Sequence, residues 1–313
     1  MPELPEVTTT VRGLQRVLPG LTITDVWTDI AKDKVTRSDF EGTVKSKKFF
    51  VKFKSSVVGQ KVLSVERRAK NILINISGGK TILIHLKMTG HLIYGNYVYN
   101  KKDNTWTPDK DEREELHDPY NRFVHVVFNF NKKNSLAFCD ARKFGKVTVL
   151  DTKTAHQSSH LVGIGPEPLD KNFTLENFTE LLNKSVPKNS KQAIKTILMD
   201  QYVIAGIGNI YSDEMLWLTH IHPESNPSSI PLPKMKALYT NMRKVLNKGI
   251  DFGGDSMSDY RDIDGKRGNF QNHHNVYRKN KEECGLKGCT GVIIRKVIGG
   301  RSAHFCSKHQ IKY

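Results

Sequence analysis

Cysteine is scarce in this sequence, and long apolar runs are missing from it. Only 4 of the 313 residues are cysteine, which is too few for a disulfide framework in a chain of this length. No apolar run is long enough to cross a bilayer, and the N-terminus lacks the basic and then apolar pattern of a signal peptide. We therefore expect a cytoplasmic protein with reduced thiols.

Negative charge is also in short supply. Lys and Arg number 49 against 32 Asp and Glu, which gives a formal net charge of +17. This excess favours a polyanionic partner, above all nucleic acid, and a nucleoid-associated position. A membrane surface would attract the same charge, but no segment is apolar enough to span one. The length leaves room for two or three packed units with a sizeable core.

The first half of the sequence begins with a helical pattern and continues with strand patterns. Four apolar residues recur at helical spacing, and Gly20 then ends the predicted helix. They are Val7, Val11, Leu14 and Leu18. From Thr22 to about Leu150, short β-branched segments separated by turn residues are typical of an antiparallel sandwich. The predicted strands are Lys48–Phe53, Lys61–Val65, Asn71–Ile76, Thr81–Leu86, Phe123–Phe130 and Lys146–Leu150.

One stretch of this half has the opposite charge to the rest of the chain. Residues 100–121, the acidic insertion, contain seven acidic and four basic residues and show no apolar periodicity. A polyanion would repel this segment. We therefore expect the acidic insertion to be solvated and to lie away from any nucleic acid.

The second half changes to helical patterns. The segment Gly163–Pro168 is rich in Gly and Pro and marks a linker. Apolar stripes then predict one helix over Leu175–Leu182 and another over Met235–Val245. The Gly-, Asp- and Asn-rich stretch Gly253–Asn275 predicts a long loop, and loops of this length are usually functional or disordered. The final residues, Asn275–Tyr313, carry nine Lys and Arg against two Glu and hold three of the four cysteines.

The first seven residues, Met1–Val7, combine proline with glutamate. If Met1 is removed, the ring nitrogen of Pro2 becomes a free secondary amine, and an α-amino group titrates near about 8. Attack of this amine on a sugar anomeric carbon would give a cationic iminium, with Glu3 beside it to exchange protons. Alternatively, the prolines only rigidify the start of a helix, and Glu3 and Glu6 favour its positive end.

These seven residues resemble the N-terminus of the formamidopyrimidine-DNA glycosylase and endonuclease VIII family of base-excision repair enzymes. Leu4 matches the formamidopyrimidine branch, because the endonuclease VIII branch usually has glycine at that position. The resemblance implies that Pro2 is the nucleophile and Glu3 a general acid/base. Glu6 is expected to support the helix start rather than to take part in the chemistry.

A glycine-rich turn between two predicted helices lies within Lys195–Pro223. Gly206 and Gly208 allow the turn, and Asn209 begins the second helix, where exposed amides can hold a phosphate. A dinucleotide-binding fingerprint does not match, because Tyr211 occupies the final glycine position and no βαβ unit surrounds it. A simple hinge is the alternative. The run resembles the helix–two-turns–helix motif of the same family, which implies a phosphate contact for Asn209.

Four candidate metal ligands lie near the C-terminus. Two ligand pairs are separated by a spacer long enough for a β-hairpin, which predicts a structural zinc site. A hairpin with reduced thiols and no zinc is the alternative. The family usually has two CxxC pairs here, so the longer first pair and the histidine are departures from its pattern. The ligands are Cys284, Cys289, Cys306 and His309.

Three basic residues match phosphate contacts of the family. Lys70 follows two arginines at the end of a predicted strand, and the resemblance implies that it binds the DNA backbone. His85 begins a loop that resembles the one whose histidine contacts phosphate in the family. Arg301 lies on the second strand of the predicted hairpin. His304 is a weaker zinc ligand candidate, because only one residue separates it from Cys306.

Two predicted loops, His85–Gly90 and Asp140–Gly145, resemble the family's wedge loops. A glycosylase must extrude its target nucleotide and fill the gap that is left. The resemblance implies that Met88 inserts into the duplex, that Arg142 faces the orphaned base and that Phe144 enters between base pairs.

Ordinary packing is the alternative for several of these residues. Met88 and Phe144 would then belong to the core, and His85 and His125 would be satisfied within the sandwich. The glycines near Met88 and Phe144 favour loop tips instead. Cys139 is expected to be a buried small residue.

These motifs together predict an α+β protein in three parts. They are an N-terminal helix with an antiparallel β-sandwich (1–160), a helical domain with a helix–two-turns–helix motif and the long loop (161–275), and a zinc-finger β-hairpin (276–313). The resemblance implies that the long loop is a lesion-capping loop, because the family has a mobile capping loop at this place.

The resemblance implies a bifunctional DNA glycosylase and abasic-site lyase. Such an enzyme excises oxidised purines, formamidopyrimidine and 8-oxoguanine, through an N-terminal proline imine followed by β,δ-elimination. The implied catalytic residues are Pro2, Glu3, Lys70 and Arg301, and the implied DNA contacts are His85, Met88, Arg142, Phe144, Asn209 and Arg301. We expect a monomer with one zinc ion and a partner of double-stranded DNA containing oxidised bases. Two alternatives stay open: an enzyme for oxidised pyrimidines, and a catalytically silent zinc-containing DNA-binding protein.

Overall fold

The computed structural model describes residues 1–185 and 192–313, which form two units. Part of the predicted helical domain, residues 186–191, lies outside the described residues. No described helix is both long enough and apolar enough to cross a membrane. The first unit comprises residues 1–162 and 252–269, and the second comprises 163–251 and 270–313.

The N-terminal helix, α1, spans Leu4–Val17. Glu3 is its N-cap residue, and Pro5 lies in the first turn, where a helix needs no amide donor. Leu14 is fully buried, and Val11 is 5% exposed. The apolar stripe predicted from the sequence is therefore confirmed as the buried face of the helix.

The strands of the first unit are short, as the sequence predicts. They are β1 Ile23–Thr28, β2 Val62–Arg68, β3 Asn71–Ile76, β4 Lys80–His85, β5 His91–Gly95, β6 Tyr97–Asn100, β7 Thr105–Pro108, β8 Val124–Phe130, β9 Ser135–Cys139 and β10 Lys146–Asp151.

Eight of these strands form two four-stranded antiparallel sheets. The strand orders are β1–β8–β9–β5 and β10–β4–β3–β2. Phe128 from the first sheet and Ile72 from the second are both buried in one apolar cluster, and α1 adds Leu14 to it. This shared core confirms the predicted sandwich. It also fixes α1, and with it the N-terminal residues, against the sheets.

The sequence predicts a strand for Lys48–Phe53, and that prediction is wrong. The segment belongs to a helix, α2, which spans Lys47–Val57. Phe53 and Val57 are fully buried four residues apart, whereas Val51 is 64% exposed. The β-branched and aromatic residues here have high strand propensity, but burial of one face at helical spacing outweighs that propensity.

The prediction of a solvated acidic insertion is wrong in part. Leu116 and Asn121 are each 1% exposed. Leu116 packs over Gly95, where a Cβ atom would lie only 2.3 Å from a Leu116 methyl carbon. A single apolar residue among charged ones creates no periodicity, so the sequence pattern could not reveal this packing. The insertion contains strand β7 and two 3₁₀ helices, Glu114–His117 and Pro119–Arg122.

Residues 252–269, called loop 252–269 below, contain no helix or strand and belong to the first unit. Ile263 packs against Gly13 of α1, where a Cβ would lie 2.7 Å from the Ile263 side chain. The Ile263 carbonyl oxygen accepts the Tyr94 amide of β5 at 2.8 Å. The loop is therefore ordered by contacts with α1 and the sandwich, although it follows α1 by more than 200 residues in sequence.

The second unit is helical, with a terminal hairpin, as predicted. Gly249 allows the fully buried Tyr211 to pack closely, since a Cβ at Gly249 would lie 2.5 Å from the Tyr211 ring. Tyr211 also stacks on Phe270 with ring centres 5.0 Å apart. The elements are α3 Leu175–Lys184, α4 Ile194–Leu198, α5 Asn209–Thr219, α6 Leu232–Asp251, β11 Ile293–Ile298 and β12 Arg301–Cys306.

The helical assignment of α2 predicts unequal effects of two truncations. Phe53→Ala should lower the free energy of unfolding by about 3–5 kcal/mol, because it empties a fully buried site. Val51→Ala should change it by less than about 0.5 kcal/mol, because Val51 is exposed. Urea unfolding measures both. A strand would place the two residues on one face, so similar losses for both variants would contradict the helix.

Candidate active site

The predicted catalytic residues Pro2 and Glu3 immediately precede α1. Both are buried, with Glu3 only 2% exposed, whereas Met1 is 45% exposed. The Glu3 amide donates to Glu6 Oε2 at 2.7 Å, which places the Glu3 backbone at the helix start. With Met1 attached, the Pro2 nitrogen is part of an amide and has no nucleophilic lone pair. Chemistry at Pro2 therefore requires removal of an exposed residue.

Glu6 connects the start of α1 to loop 252–269. Its side chain is 1% exposed, and its Oε1 accepts the Asp255 amide at 2.8 Å. Its carbonyl oxygen accepts the Tyr260 hydroxyl at 3.0 Å. Burial raises the pKa of Tyr260, so this phenol remains a donor. Through these contacts Glu6 supports the start of α1.

Lys70 lies in the two-residue turn between β2 and β3 and is 5% exposed. The preceding residue, Ala69, has a positive φ of 52°. The Arg67 side chain donates to the Ala69 carbonyl oxygen at 2.9 Å and so holds the turn. The sequence predicted basic residues at the end of a strand. In the structure this strand end leads into a tight hairpin turn, which fixes the position of Lys70.

His85 is the last residue of β4 and is partly buried. Its Nδ1 accepts the Lys87 amide at 3.0 Å, so the neutral ring carries its proton on Nε2. Burial, together with the nearby cations of Lys87 and Lys70, lowers the pKa of His85 from 6.5 to about 3. At neutral pH the imidazole is therefore an uncharged donor. By contrast, His125 is only half satisfied within the sandwich: its Nδ1 lies 2.9 Å from Asp29, whereas its buried Nε2 has no hydrogen-bond partner among the described residues.

The two predicted wedge loops are rooted in the core, since Leu86 belongs to the main apolar cluster, but Met88 and Phe144 are not among the buried core residues. Met88 is partly buried in the turn after β4. Phe144 is 36% exposed after β9, and the Arg142 guanidinium lies 4.6 Å from the centre of its ring. The loop-tip interpretation of Phe144 is therefore confirmed. Cys139 is buried as predicted and donates to the Asn121 carbonyl oxygen at 3.2 Å.

Asp140 joins the two wedge loops and was missed by the sequence reasoning. Its Oδ1 accepts the Thr89 hydroxyl from one loop, and its Oδ2 accepts the Gly145 amide of the other at 2.7 Å. The Thr89 hydroxyl oxygen in turn accepts the Arg142 amide at 3.1 Å. One buried carboxylate thus fixes both loops. An Asp at the first position of a turn was the available signal.

Strained backbone marks all three loops of the first unit that carry predicted DNA contacts. Ala69, Lys87 and Lys143 have φ values of 52°, 56° and 56°, and each directly precedes a predicted contact residue. A non-glycine residue in this region costs about 1–3 kcal/mol and persists only where the surrounding structure enforces it. Sequence patterns carry no signal for such strain.

In the second unit, Asn209 is the first residue of α5, as predicted. The preceding turn is held by the Gln201 side chain, which donates to the Ile207 carbonyl oxygen at 2.8 Å and accepts the Gly206 amide at 2.8 Å. Gly206 has a φ of 84°, which disfavours any side chain there. The N-terminus of a helix such as α5 favours a bound anion.

A buried charge cluster links α4, α5 and β12. Lys195 and Asp213 form an ion pair and are both fully buried. The other Asp213 oxygen, Oδ2, accepts the His304 amide at 2.9 Å and lies 3.1 Å from His304 Nδ1. His304 therefore supports the hairpin and is not part of the metal-ligand cluster, as the sequence suggested. Arg301 begins the same strand and is exposed.

The four predicted metal ligands come together at the base of the hairpin. Their donor atoms all lie within 4.8 Å of one another, and His309 Nδ1 is 3.3 Å from the Cys284 sulfur. Amides of Gly291 and Lys308 donate to the sulfurs of Cys289 and Cys306, both at 3.4 Å. His309 Nε2 lies 3.3 Å from the Trp217 carbonyl oxygen, which directs Nδ1 to the sulfurs. Three sulfurs and one imidazole are compatible with one zinc ion.

Two family models match the chain. One is described as the formamidopyrimidine-DNA glycosylase N-terminal domain and matches residues 1–147, and the other as the formamidopyrimidine-DNA glycosylase H2TH domain and matches residues 164–261. The formamidopyrimidine-DNA glycosylase of Pelotomaculum thermopropionicum is 35% identical over 306 residues, 98% of each chain. That of Heliobacterium modesticaldum is 34% identical over 99% of this chain and 100% of its own.

Solved structures of formamidopyrimidine-DNA glycosylases are also similar to this chain. The complex between the Lactococcus lactis Fpg and an abasic site containing DNA is similar with a TM-score of 0.80 and 28% identity, over 99% of this chain and 100% of that one. The wild-type protein bound to a DNA containing N7-benzyl-Fapy-dG is similar with a TM-score of 0.79, over the same shares.

Proposed function

The chain belongs to the formamidopyrimidine-DNA glycosylase family of DNA repair enzymes, and we propose that it is a bifunctional glycosylase and abasic-site lyase. Its substrates are oxidised purines, formamidopyrimidine and 8-oxoguanine, in double-stranded DNA. The observation that carries the proposal is the Pro2–Glu3 pair, buried at the start of a capped helix behind an exposed Met1. The protein acts as a monomer in the cytoplasm, on the nucleoid.

The chemistry follows from a free Pro2 amine. Its nitrogen attacks C1′ of the damaged nucleotide, and the bond from C1′ to the base breaks with its electron pair leaving on the base, which Glu3 supplies with a proton. After the amine has lost its proton, its nitrogen lone pair opens the sugar ring: the C1′–O4′ bond breaks and O4′ takes up a proton. The iminium formed in this way acidifies C2′. Loss of that proton expels the 3′ phosphate, and a second elimination expels the 5′ phosphate.

The remaining predicted residues bind and open the duplex. Lys70 and Arg301 complete the catalytic set by holding the backbone phosphates, and His85 and Asn209 add neutral donors. Met88, Arg142 and Phe144 fill the gap left by the extruded nucleotide. The Asp140 carboxylate supports this role, because it holds both wedge loops in place. By role, the chain divides into regions 1–160, 161–275 and 276–313.

A structural zinc ion completes the C-terminal region. Cys284, Cys289, Cys306 and His309 hold it, and it supplies folding energy rather than chemistry. The hairpin positions Arg301, so the metal acts on DNA binding through the fold.

Pro2 is expected to form a covalent imine with DNA once Met1 is removed. Borohydride added during turnover should trap protein on a lesion-bearing duplex, and peptide mapping should place the adduct on Pro2. Glu3→Gln should retain DNA binding yet slow base excision by about 100- to 10,000-fold, because it removes the titrating proton. Pro5→Ala is the matched control, since it changes the helix start and leaves the amine.

An adduct on Lys70, or normal turnover in a chain that retains Met1, would overturn this mechanism. Full DNA binding with no excision of any lesion would instead favour the catalytically silent DNA-binding protein.

The donor set predicts one zinc ion per chain in natively purified protein. Cys306→Ser should lose the metal and weaken DNA binding, because metal binding supplies much of the folding energy of a hairpin this small. Cys139→Ser is the control, since Cys139 lies on β9 outside the ligand cluster. Metal analysis and binding assays measure both. Full zinc content in Cys306→Ser would show the ligand assignment to be wrong.

Contact between Arg301 and a phosphate predicts a change in salt dependence. Arg301→Ala should reduce the log–log slope of affinity against salt by about 1. Arg295→Ala removes the same charge from the opposite face of the hairpin. Arg301 shares a face with its strand partner Ile298, and Arg295, three residues before Ile298 on the same strand, therefore lies on the other face. It should leave the slope unchanged. Equal slopes for the two variants would mean that Arg301 does not touch the backbone.

A further inference from the structure

The acidic insertion contacts loop 252–269 through two arginine–carboxylate pairs that run in opposite directions. Arg113 of the insertion donates from Nε to the Asp264 carbonyl oxygen at 2.9 Å, and pairs with the Asp264 carboxylate at 3.4 Å. The same guanidinium donates to the Tyr94 carbonyl oxygen at 2.8 Å, which anchors it on β5. Asp264 of the loop is thereby connected to the sandwich through the insertion.

The second pair starts from the loop. Arg261 is 2% exposed and donates from Nε and Nη2 to Asp118 Oδ2, at 3.0 and 2.9 Å. Its Nη1 donates to the carbonyl oxygens of Ser258 and Tyr260, both at 2.8 Å, and so shapes the loop itself. A buried guanidinium is strongly disfavoured unless its charge is neutralised. Asp118 of the insertion is therefore the counter-ion of this loop conformation.

A close backbone approach adds a third contact. Gly265 has a φ of 83°, and a Cβ there would lie 2.6 Å from the Glu115 carbonyl oxygen of the insertion. Only glycine permits both the conformation and the approach. Loop and insertion therefore meet at the backbone as well as through side chains.

The other end of the loop is attached to the catalytic turn. Glu6 accepts the Asp255 amide on its side chain and the Tyr260 hydroxyl on its carbonyl oxygen. Between Asp255 and Tyr260, Met257 is 38% exposed and Ser258 is also exposed. The loop is thus held beside Glu3 at one end and by the insertion at the other, with its tip presented to solvent.

We propose that Arg113 and Asp118 are positioning residues, through which the acidic insertion holds loop 252–269 in the conformation that covers an extruded base. The inference rests on the proposed function, because only a base-excising enzyme has such a base to cover. On this proposal, the acidic insertion stabilises another segment of the same chain. Its acidity neutralises a buried loop arginine and does not serve DNA contact.

The role predicts different effects on two substrates. Excision of a paired lesion needs a covered base, whereas a preformed abasic site has none. Loosening the loop should therefore slow excision and spare cleavage of the abasic site. A general loss of stability would lower both activities together.

Asp118→Asn tests this in the full-length enzyme. The amide can still accept the Tyr120 N–H that Asp118 accepts at 2.9 Å, but it no longer neutralises Arg261. Amide hydrogen exchange across residues 258–266 should rise by about tenfold, and excision of a paired lesion should fall by a similar factor. Abasic-site cleavage should stay within about twofold. Asp111→Asn, an exposed aspartate of the same insertion, is the matched control.

Asp118→Glu keeps the negative charge and should therefore restore most of the exchange protection and of the excision rate. If the shape of the aspartate mattered rather than its charge, Asp118→Glu would restore neither. Unchanged exchange in Asp118→Asn relative to Asp111→Asn would overturn the proposal, and so would equal losses on both substrates. If the unmodified enzyme excised no lesion, the proposed function would fail, while the exchange measurement would still decide whether the insertion holds the loop.

Discussion

The buried carboxylate of Glu6 is the interaction on which the catalytic end of this molecule depends. One oxygen accepts the Glu3 amide at 2.7 Å and the other the Asp255 amide at 2.8 Å. A buried carboxylate without such donors would be strongly disfavoured. The start of α1 and loop 252–269 therefore cannot be ordered independently. The position of Glu3 is a property of the helix and the loop together, and the acidic insertion enters the same network through the loop.

Neighbouring carboxylates on α5 play the corresponding part in the second unit. Asp213 neutralises Lys195 and holds His304, while Glu214 accepts the amides of Val276 and Tyr277 at 3.0 and 2.9 Å. One helix thus fixes α4, β12 and the segment that leads into the hairpin. Because α5 also begins with the predicted phosphate contact, local geometry at the anion-binding turn depends on charges buried one to two turns further along the helix.

Signals that repeat along the chain were readable from the sequence, and isolated ones were not. Periodicity located α1 and the sandwich, and spacing located the metal ligands. A repeated or paired pattern can be recognised in the sequence alone, without knowing which residues surround it in the fold. The strand prediction over α2 was wrong, since propensity alone ignores which face is buried. Leu116 and Asp140 depend on partners distant in sequence, and the positive φ of Ala69 leaves no pattern in the sequence. The roles assigned to the DNA-contacting residues remain predictions.

The place of loop 252–269 in the first unit has a consequence for biosynthesis. The Glu6–Asp255 contact spans 249 residues, so at synthesis rates of about 5–20 residues per second the nascent helix waits roughly 12–50 s for its partner. Once β10 has been synthesised, the sandwich can collapse while the N-terminal turn still lacks its final support. Completion of the catalytic end is therefore a late event, which leaves the newly made N-terminus open to processing enzymes before it is locked in place.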